Sequence, residues 1–204
     1  MWFAIVITVL TGYLLGNLNG AVSMSILFND DVRSHGSGNA GLTNFVRNFG
    51  YAKAGLVILI DVAKAVIACF VGRLIMDGYD LPMEGMVLGA VGVSLGHDYP
   101  ALLGFRGGKG VLSGLAIAAT LDYRCALIIL GVFVICVVLT KYVSLGSVLG
   151  ALSFSAFFGI VYREQPVVMI GGIFLGLFVV FMHRSNIQRL IKGTERKFSF
   201  KRDK

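Results

Sequence analysis

The chain has 204 residues, of which 56% are hydrophobic and only 14% charged, with a mean hydropathy of +0.82 and a formal net charge of +7. So little charge over this length excludes a soluble globular domain and marks an integral membrane protein. The basic excess then concerns membrane orientation and anionic ligands, not nucleic acid.

Residues 2–27 are long enough to cross a bilayer, which takes about 20 apolar residues, although Asn17 and Asn19 interrupt them. This run starts apolar without a basic leader, so it reads as a retained first span rather than a cleaved signal. Residues 29–50 form a polar loop carrying Arg33, Ser34, His35, Ser37, Asn39, Thr43, Asn44 and Arg47. A second span, 51–76, contains Asp61 and Lys64; a short acidic loop with Pro82 covers 77–84. The third span, 85–103, runs into the glycine-rich stretch GFRGGKG at 104–110. Residues 111–121 are apolar but too short to cross unaided, and Asp122-Tyr123-Arg124 follow. Three further spans, 125–140, 144–161 and 166–182, precede a basic tail at 183–204. The expectation is an all-α, polytopic membrane helical bundle of about seven transmembrane helices, forming one domain over 1–204.

Lys and Arg set the orientation. With the N-terminus outside, the inner side holds 14 cations: Arg33, Arg47, Lys53, Arg106, Lys109, Lys141 and eight between Arg184 and Lys204. The outer side holds 3, namely Arg73, Arg124 and Arg163. The C-terminus is therefore expected in the cytoplasm, and three polar stretches face that side together.

The first stretch, GSGNAGLTNFVR at 36–47, contains a formal G-x-G-x-x-G, with Asp61 twenty residues beyond Gly41. A dinucleotide fingerprint needs a buried strand before it, and Asp31-Val32-Arg33-Ser34-His35 is not one. What remains is a dense set of small donors, Ser37, Asn39, Thr43 and Asn44, ending in Arg47. Such a set suits phosphate and glycerol oxygens. The second stretch, GHDYPALLGFRGGKG at 96–110, puts Arg106 and Lys109 among glycines whose N–H groups can cradle an anion. It is not a nucleotide P-loop, because Leu103 and Gly110 stand where glycine and Ser or Thr are required. In the third, HRSNIQRLIKGTE at 183–195, His183 and Asn186 share a helical face. Asp61 and Lys64, three apart inside a span, read as a buried structural pair. Cys69, Cys125 and Cys136 lie in apolar runs and read as packing residues, with no metal-ligand spacing and no metal expected.

Together, and in this order, the three stretches resemble the bacterial acyl-phosphate:glycerol-3-phosphate acyltransferase family, known as PlsY, over nearly the whole chain. Two departures are conservative: Arg106 stands where Lys is more usual, and Ala65 after Lys64 where Gly is more usual. The resemblance implies transfer of a fatty acyl group from acyl phosphate to the 1-hydroxyl of sn-glycerol 3-phosphate, giving lysophosphatidic acid and phosphate for phospholipid synthesis. It implies catalytic roles for Ser37, Arg47, Lys109, His183 and Asn186. Substrate and phosphate contacts would come from Gly38, Asn39, Thr43, Asn44, His97, Arg106, Gly107, Gly108 and Gly110. No cofactor is implied. The setting would be the bacterial inner membrane with its lipid, the site facing the cytoplasm, beside a soluble enzyme that supplies acyl phosphate. The His-x-x-x-x-Asp signature of other glycerolipid acyltransferases is absent, so the base is open between a substrate phosphate and His183. The alternative from another class is a small organic-phosphate transporter, which intramembrane charge and many glycines would suit.

Overall fold

Long runs of Leu, Ile and Val have to satisfy their own backbone groups in lipid, and helices do so. The computed structural model describes residues 1–198, and every regular element among them is helical. Lys201, Arg202 and Lys204 of the basic tail lie outside the described residues. The chain divides into two units, Met1–Leu121 and Asp122–Lys204.

The first unit contains α1 (Trp2–Gly16), α2 (Gly20–Leu27), α3 (Leu42–Phe49), α4 (Ala54–Asp77), α5 (Pro82–Asp98) and α6 (Val111–Leu121). α5 is central, flanked by α1 and α4. Glycines allow the close approach. A Cβ at Gly12 would stand 2.6 Å from the Gly89 carbonyl, one at Gly16 would stand 2.5 Å from that of Val93, and Gly72 of α4 abuts Gly85. α6 packs on α4 and α5.

The first span is one stretch of 26 residues, but it breaks at 17–19. Asn19 restarts the helix by accepting from the Val22 N–H at 3.0 Å, an N-cap. The stretch expected as a plain loop at 29–50 contains α3. That helix buries Phe45 completely and stacks it on Phe49 at 4.8 Å while Arg47 faces out. α5 starts at Pro82, earlier than residue 85, because proline's fixed φ suits a first helical position.

The second unit contains α7 (Tyr123–Thr140), α8 (Val143–Val161), α9 (Pro166–Met182) and α10 (Arg184–Ile191). α7 begins two residues before Cys125, since the Asp122 carboxylate accepts from the Arg124 N–H at 2.9 Å and caps it. α8 lies against α7 and α9. Its core is an aromatic column, Phe154 on Phe158 at 4.8 Å and Phe158 on Tyr162 at 4.9 Å, with Gly172 of α9 against Phe158.

Five helical stretches among the described residues are long and apolar enough to cross a membrane, and six if α9 and α10, bent by 56°, count as one. α6, at 11 residues, is shorter than a span.

Candidate functional site

The break in the first span organises the polar end of the first unit. Tyr13 and Asn17 hold the turn before the glycine-rich stretch: Tyr13 Oη donates to the Tyr99 carbonyl at 2.9 Å and accepts from the Ala101 N–H at 3.1 Å, and Asn17 Oδ1 accepts from the Leu102 N–H at 3.0 Å. Asn19 Nδ2 donates to the Ala40 carbonyl in the other polar loop at 3.1 Å. One three-residue interruption thus anchors both loops, and side chains satisfy backbone groups that it frees: Lys64 donates to the Leu18 carbonyl at 2.7 Å and Asp61 accepts from the Gly20 N–H at 3.1 Å.

In the loop of residues 36–47, Gly36 and Gly38 have φ of +57° and +69°, the left-handed region that favours glycine. Asn44 is buried and faces the loop interior. Its Nδ2 donates to the carbonyls of Val32, His35 and Asn39 at 2.9–3.1 Å, and its Oδ1 accepts from the Ser37 N–H at 3.1 Å. Asn44 therefore shapes the loop from within. Ser37, Gly38, Thr43 and Arg47 face outward, and Asn39 is half-buried.

The glycine-rich stretch folds back on the end of α5. The Gly107 N–H donates to the Asp98 carbonyl at 3.2 Å and the Gly108 N–H to the His97 carbonyl at 3.1 Å. A methyl at Gly107 would meet those two carbonyls; one at Gly108 would fall on His97 Nε2 and stand 3.0 Å from the Ala40 carbonyl. The two loops thus meet at Gly108. They are tied again by Arg33, whose Nη1 donates to the Leu103 carbonyl at 2.8 Å while Nε and Nη2 grip the Asp31 carboxylate. That guanidinium holds the Asp31 carboxyl below the usual carboxylate range. Arg106 is exposed, Lys109 half-buried, and Gly110 turns the chain into α6 with φ +68°.

Beneath the loops lies a buried charged group. Lys64 Nζ stands 2.9 Å from Asp61 Oδ1, 2.7 Å from the Leu18 carbonyl and 2.7 Å from His97 Nδ1. Asp61 Oδ1 also accepts from the Gly20 N–H at 3.1 Å. The expected Asp61–Lys64 pair is therefore present, with His97 as a third member. Both charges are 2% exposed and paired, which is what makes them tolerable at this depth.

In the second unit His183 is buried and precedes α10. Its Nδ1 lies 2.8 Å from the Val179 carbonyl, which only accepts. Nδ1 therefore carries the proton, and in the neutral ring Nε2 is the nitrogen that can take one. Asn186 sits one turn away on α10 and donates to Glu195 Oε1 at 2.7 Å, while Arg189 Nε contacts Oε2 at 2.6 Å. Burial opposes ionisation of Glu195, but the surrounding donors outweigh it and hold its carboxyl below the ordinary value of 4.5.

Within the first unit, then, exposed Ser37 and Arg106 and half-buried Lys109 stand on two loops that touch, and exposed Thr43 and Arg47 on α3, which continues the first of them. His183 and Asn186 stand together in the second unit. The residues that hold these groups in place, Tyr13, Asn17, Asn19, Arg33 and Glu195, are not among the site residues that the sequence suggests. Asn17 and Asn19 did show there as polar breaks in an apolar run. Among the described residues there is no group of three or more His, Cys, Asp or Glu that could hold a metal ion.

Comparison with known proteins bears on this arrangement. Residues 6–193 match the family model described as glycerol-3-phosphate acyltransferase. A glycerol-3-phosphate acyltransferase of Clostridioides difficile (strain 630) is 39% identical over 206 residues, covering 98% of both chains. One from Thermoanaerobacter sp. (strain X514) is 38% identical over 197 residues, covering 96% of both. The fold superposes on crystal structures of PlsY (YgiH), an integral membrane glycerol 3-phosphate acyltransferase. The glycerol 3-phosphate form gives a TM-score of 0.85 at 29% identity, with 96% of each chain covered. The lysophosphatidic acid form gives 0.81 at 28% identity, with 96% and 95% covered.

Proposed function

The chain belongs to the glycerol-3-phosphate acyltransferase family and is an integral membrane enzyme, and we propose that its acyl donor is acyl phosphate and its acceptor the 1-hydroxyl of sn-glycerol 3-phosphate. The acceptor oxygen attacks the acyl carbonyl carbon, the carbon–oxygen bond to phosphate breaks, and the hydroxyl proton leaves with a base. The products are lysophosphatidic acid and phosphate. The observation that supports this reading is the contact between the segment of residues 31–47 and the glycine-rich stretch, at Gly108 beside Ala40 and through Arg33 to Leu103.

An acyl phosphate is a mixed anhydride with a good leaving group, so no covalent enzyme intermediate is required. The work left to the protein is to hold two phosphates and a fatty chain together. Arg47 and Lys109 supply charge to those phosphates, Ser37 and the loop N–H groups supply donors, and orientation alone can lower the barrier by roughly 7–11 kcal/mol. Asn186, fixed by Glu195, orients a substrate oxygen. The base is either a substrate phosphate held by Arg47 and Lys109 or His183 through Nε2.

We assign the site to the cytoplasmic face of a bacterial inner membrane, on a single functional domain of about seven membrane helices, with the N-terminus outside, supported by the 14-to-3 bias of Lys and Arg. The expected partners are membrane lipid and the soluble enzyme that makes acyl phosphate.

The test is acylation of glycerol 3-phosphate by the purified chain in detergent, with acyl phosphate beside acyl-CoA and acyl carrier protein donors. Phosphate release from acyl phosphate only when acceptor is present supports the reading. Absence of acceptor-dependent phosphate release with any donor, together with function only in sealed vesicles, favours the organic-phosphate transporter instead. His183→Ala with near-normal turnover at saturating substrate removes His183 as base. Lys109→Ala with unchanged affinity and turnover removes the phosphate-loop assignment.

A further inference from the structure

We infer that Asp61 and Lys64 are positioning residues for acyl transfer: they lock His97 in the one tautomer that seats it against Gly108, where the two substrate loops meet. The inference rests on the acyltransferase reading above.

An ammonium has three donors and no acceptor. Lys64 has three close partners, Asp61 Oδ1 at 2.9 Å, the Leu18 carbonyl at 2.7 Å and His97 Nδ1 at 2.7 Å. The Gly16 carbonyl lies further off, at 3.5 Å, and because an ammonium can only donate, His97 Nδ1 at 2.7 Å meets Lys64 with its lone pair. The neutral ring then carries its proton on Nε2. That edge of the ring lies against Gly108, in the notch where a side chain would otherwise sit, next to the Ala40 carbonyl. The His97 carbonyl meanwhile accepts from the Gly108 N–H at 3.1 Å. Both ends of His97 therefore bear on the glycine-rich loop at Gly108, where that loop meets Ala40 of the loop of Ser37.

The other members of the group reach the same loops by a second route. Asp61 accepts from the Gly20 N–H at 3.1 Å, and the preceding residue, Asn19, donates to the Ala40 carbonyl. Lys64 holds the Leu18 carbonyl in the same break. Asp61 and Lys64 thus fix the break, the ring and, through both, the spacing of the loops. His97 is 3% exposed, so it works from behind the loops and not on the substrate. A tilted or inverted ring would move Gly108 and, with it, the neighbouring Lys109.

The test uses the full chain in detergent or nanodiscs with 15N-labelled histidine. The sequence has three histidines, and His97 is assigned as the resonance pair lost in His97→Gln, or by elimination with His35→Gln and His183→Gln. The expected spectrum is a neutral ring protonated on Nε2, with Nδ1 accepting a hydrogen bond. Removing one charge would strand the other in a buried site, so the variant is Asp61→Asn/Lys64→Met, which removes both and preserves net charge. It is expected to lose the single tautomer and to raise KM for glycerol 3-phosphate about tenfold or more while kcat stays within about threefold, because a grip is loosened and the reacting groups are retained. A wild-type ring protonated on Nδ1 overturns the inference. So does a folded double variant with unchanged KM, or one that loses kcat alone. Should the double variant not fold, the wild-type spectrum still decides. If wild-type protein fails to acylate glycerol 3-phosphate, the functional reading falls while the spectrum continues to test the lock.

Discussion

Gly108→Ala is the most direct probe of the contact between the two loops. The new methyl would fall on His97 Nε2 and stand 3.0 Å from the Ala40 carbonyl. Carbon normally keeps about 3.5 Å from such atoms, so the ring, the loop or both must move by about an ångström. Overpacking of this kind costs about 1–3 kcal/mol. The shift also endangers the hydrogen bonds from the Gly107 and Gly108 N–H groups to the Asp98 and His97 carbonyls, each worth about 1 kcal/mol. If 1.4–2.8 kcal/mol of that disturbance reaches substrate binding, KM for glycerol 3-phosphate rises about 10- to 100-fold. The assay is steady-state acyl transfer in detergent, with glycerol 3-phosphate varied at saturating acyl donor. Gly114→Ala, in α6 with open space where the methyl would go, is the control. It should leave KM unchanged and add up to about 1 kcal/mol of stability through helix propensity. A Gly108→Ala enzyme with the KM of the Gly114→Ala enzyme would refute the reasoning.

Three further outcomes are expected. Glu195 has a folded pKa below its ordinary 4.5, so its contribution to stability is present above that value and fades as pH falls through the lower, folded one. Glu195→Gln should therefore lower stability at pH 7 by about 1–2 kcal/mol, discounted for the part-exposed Arg189 partner, and flatten the acid limb of the thermal-melt profile. Arg33→Ala removes the donor to the Leu103 carbonyl and the fork on Asp31; an effect of about 1 kcal/mol should appear as a several-fold higher KM for glycerol 3-phosphate, and a wild-type KM would detach Arg33 from the site. Single cysteines at Ser37 and Thr194 should react with an impermeant thiol reagent from the cytoplasmic side only, and one at Tyr79 from the outer side only. The native Cys69, Cys125 and Cys136 are buried and should stay silent. Ser37 and Thr194 labelling from opposite sides would end the proposal that both stretches face the cytoplasm.

What could be read from the residues in advance depends on how far each signal reaches along the chain. Apolar runs are local, so the long helical stretches within 2–27, 51–76 and 125–140 were visible with their ends off by a few residues, and the ends moved for local reasons at Pro82 and Asp122. The Asp61–Lys64 pair was visible because both partners lie within one turn. Their third partner was not. His97 is 33 residues from Lys64, and their meeting depends on the register between α4 and α5. That register is set where Gly72 abuts Gly85 and Gly89 abuts Ala68, and nothing in either helix alone announces it. α3 escaped for the opposite reason. Its apolar repeat, Leu42, Phe45, Val46 and Phe49, spans only two turns and is disguised by the polar residues around it. Asn44 shows the same limit at one side chain: composition marks it as a donor near phosphate, but only the curled loop turns that amide inward onto three carbonyls.

The division has a mechanistic consequence. Groups read from sequence as chemistry, such as Ser37, Arg106 and Lys109, stand on irregular backbone that has no stiffness of its own. Stiffness comes from residues that read as defects in membrane helices: Asn17 and Asn19 in the first span, Asp61 and Lys64 in the second, His97 at the end of the third. Each is costly in lipid taken singly. Joined through the break at 17–19, they satisfy one another and leave the loops pinned at Ala40, Leu102 and Gly108. A polar break in a span and a buried ion pair in the next are then one device. Variants that neutralise the device as a whole should change substrate grip before they change folding, whereas variants that strand one of its members should do the reverse.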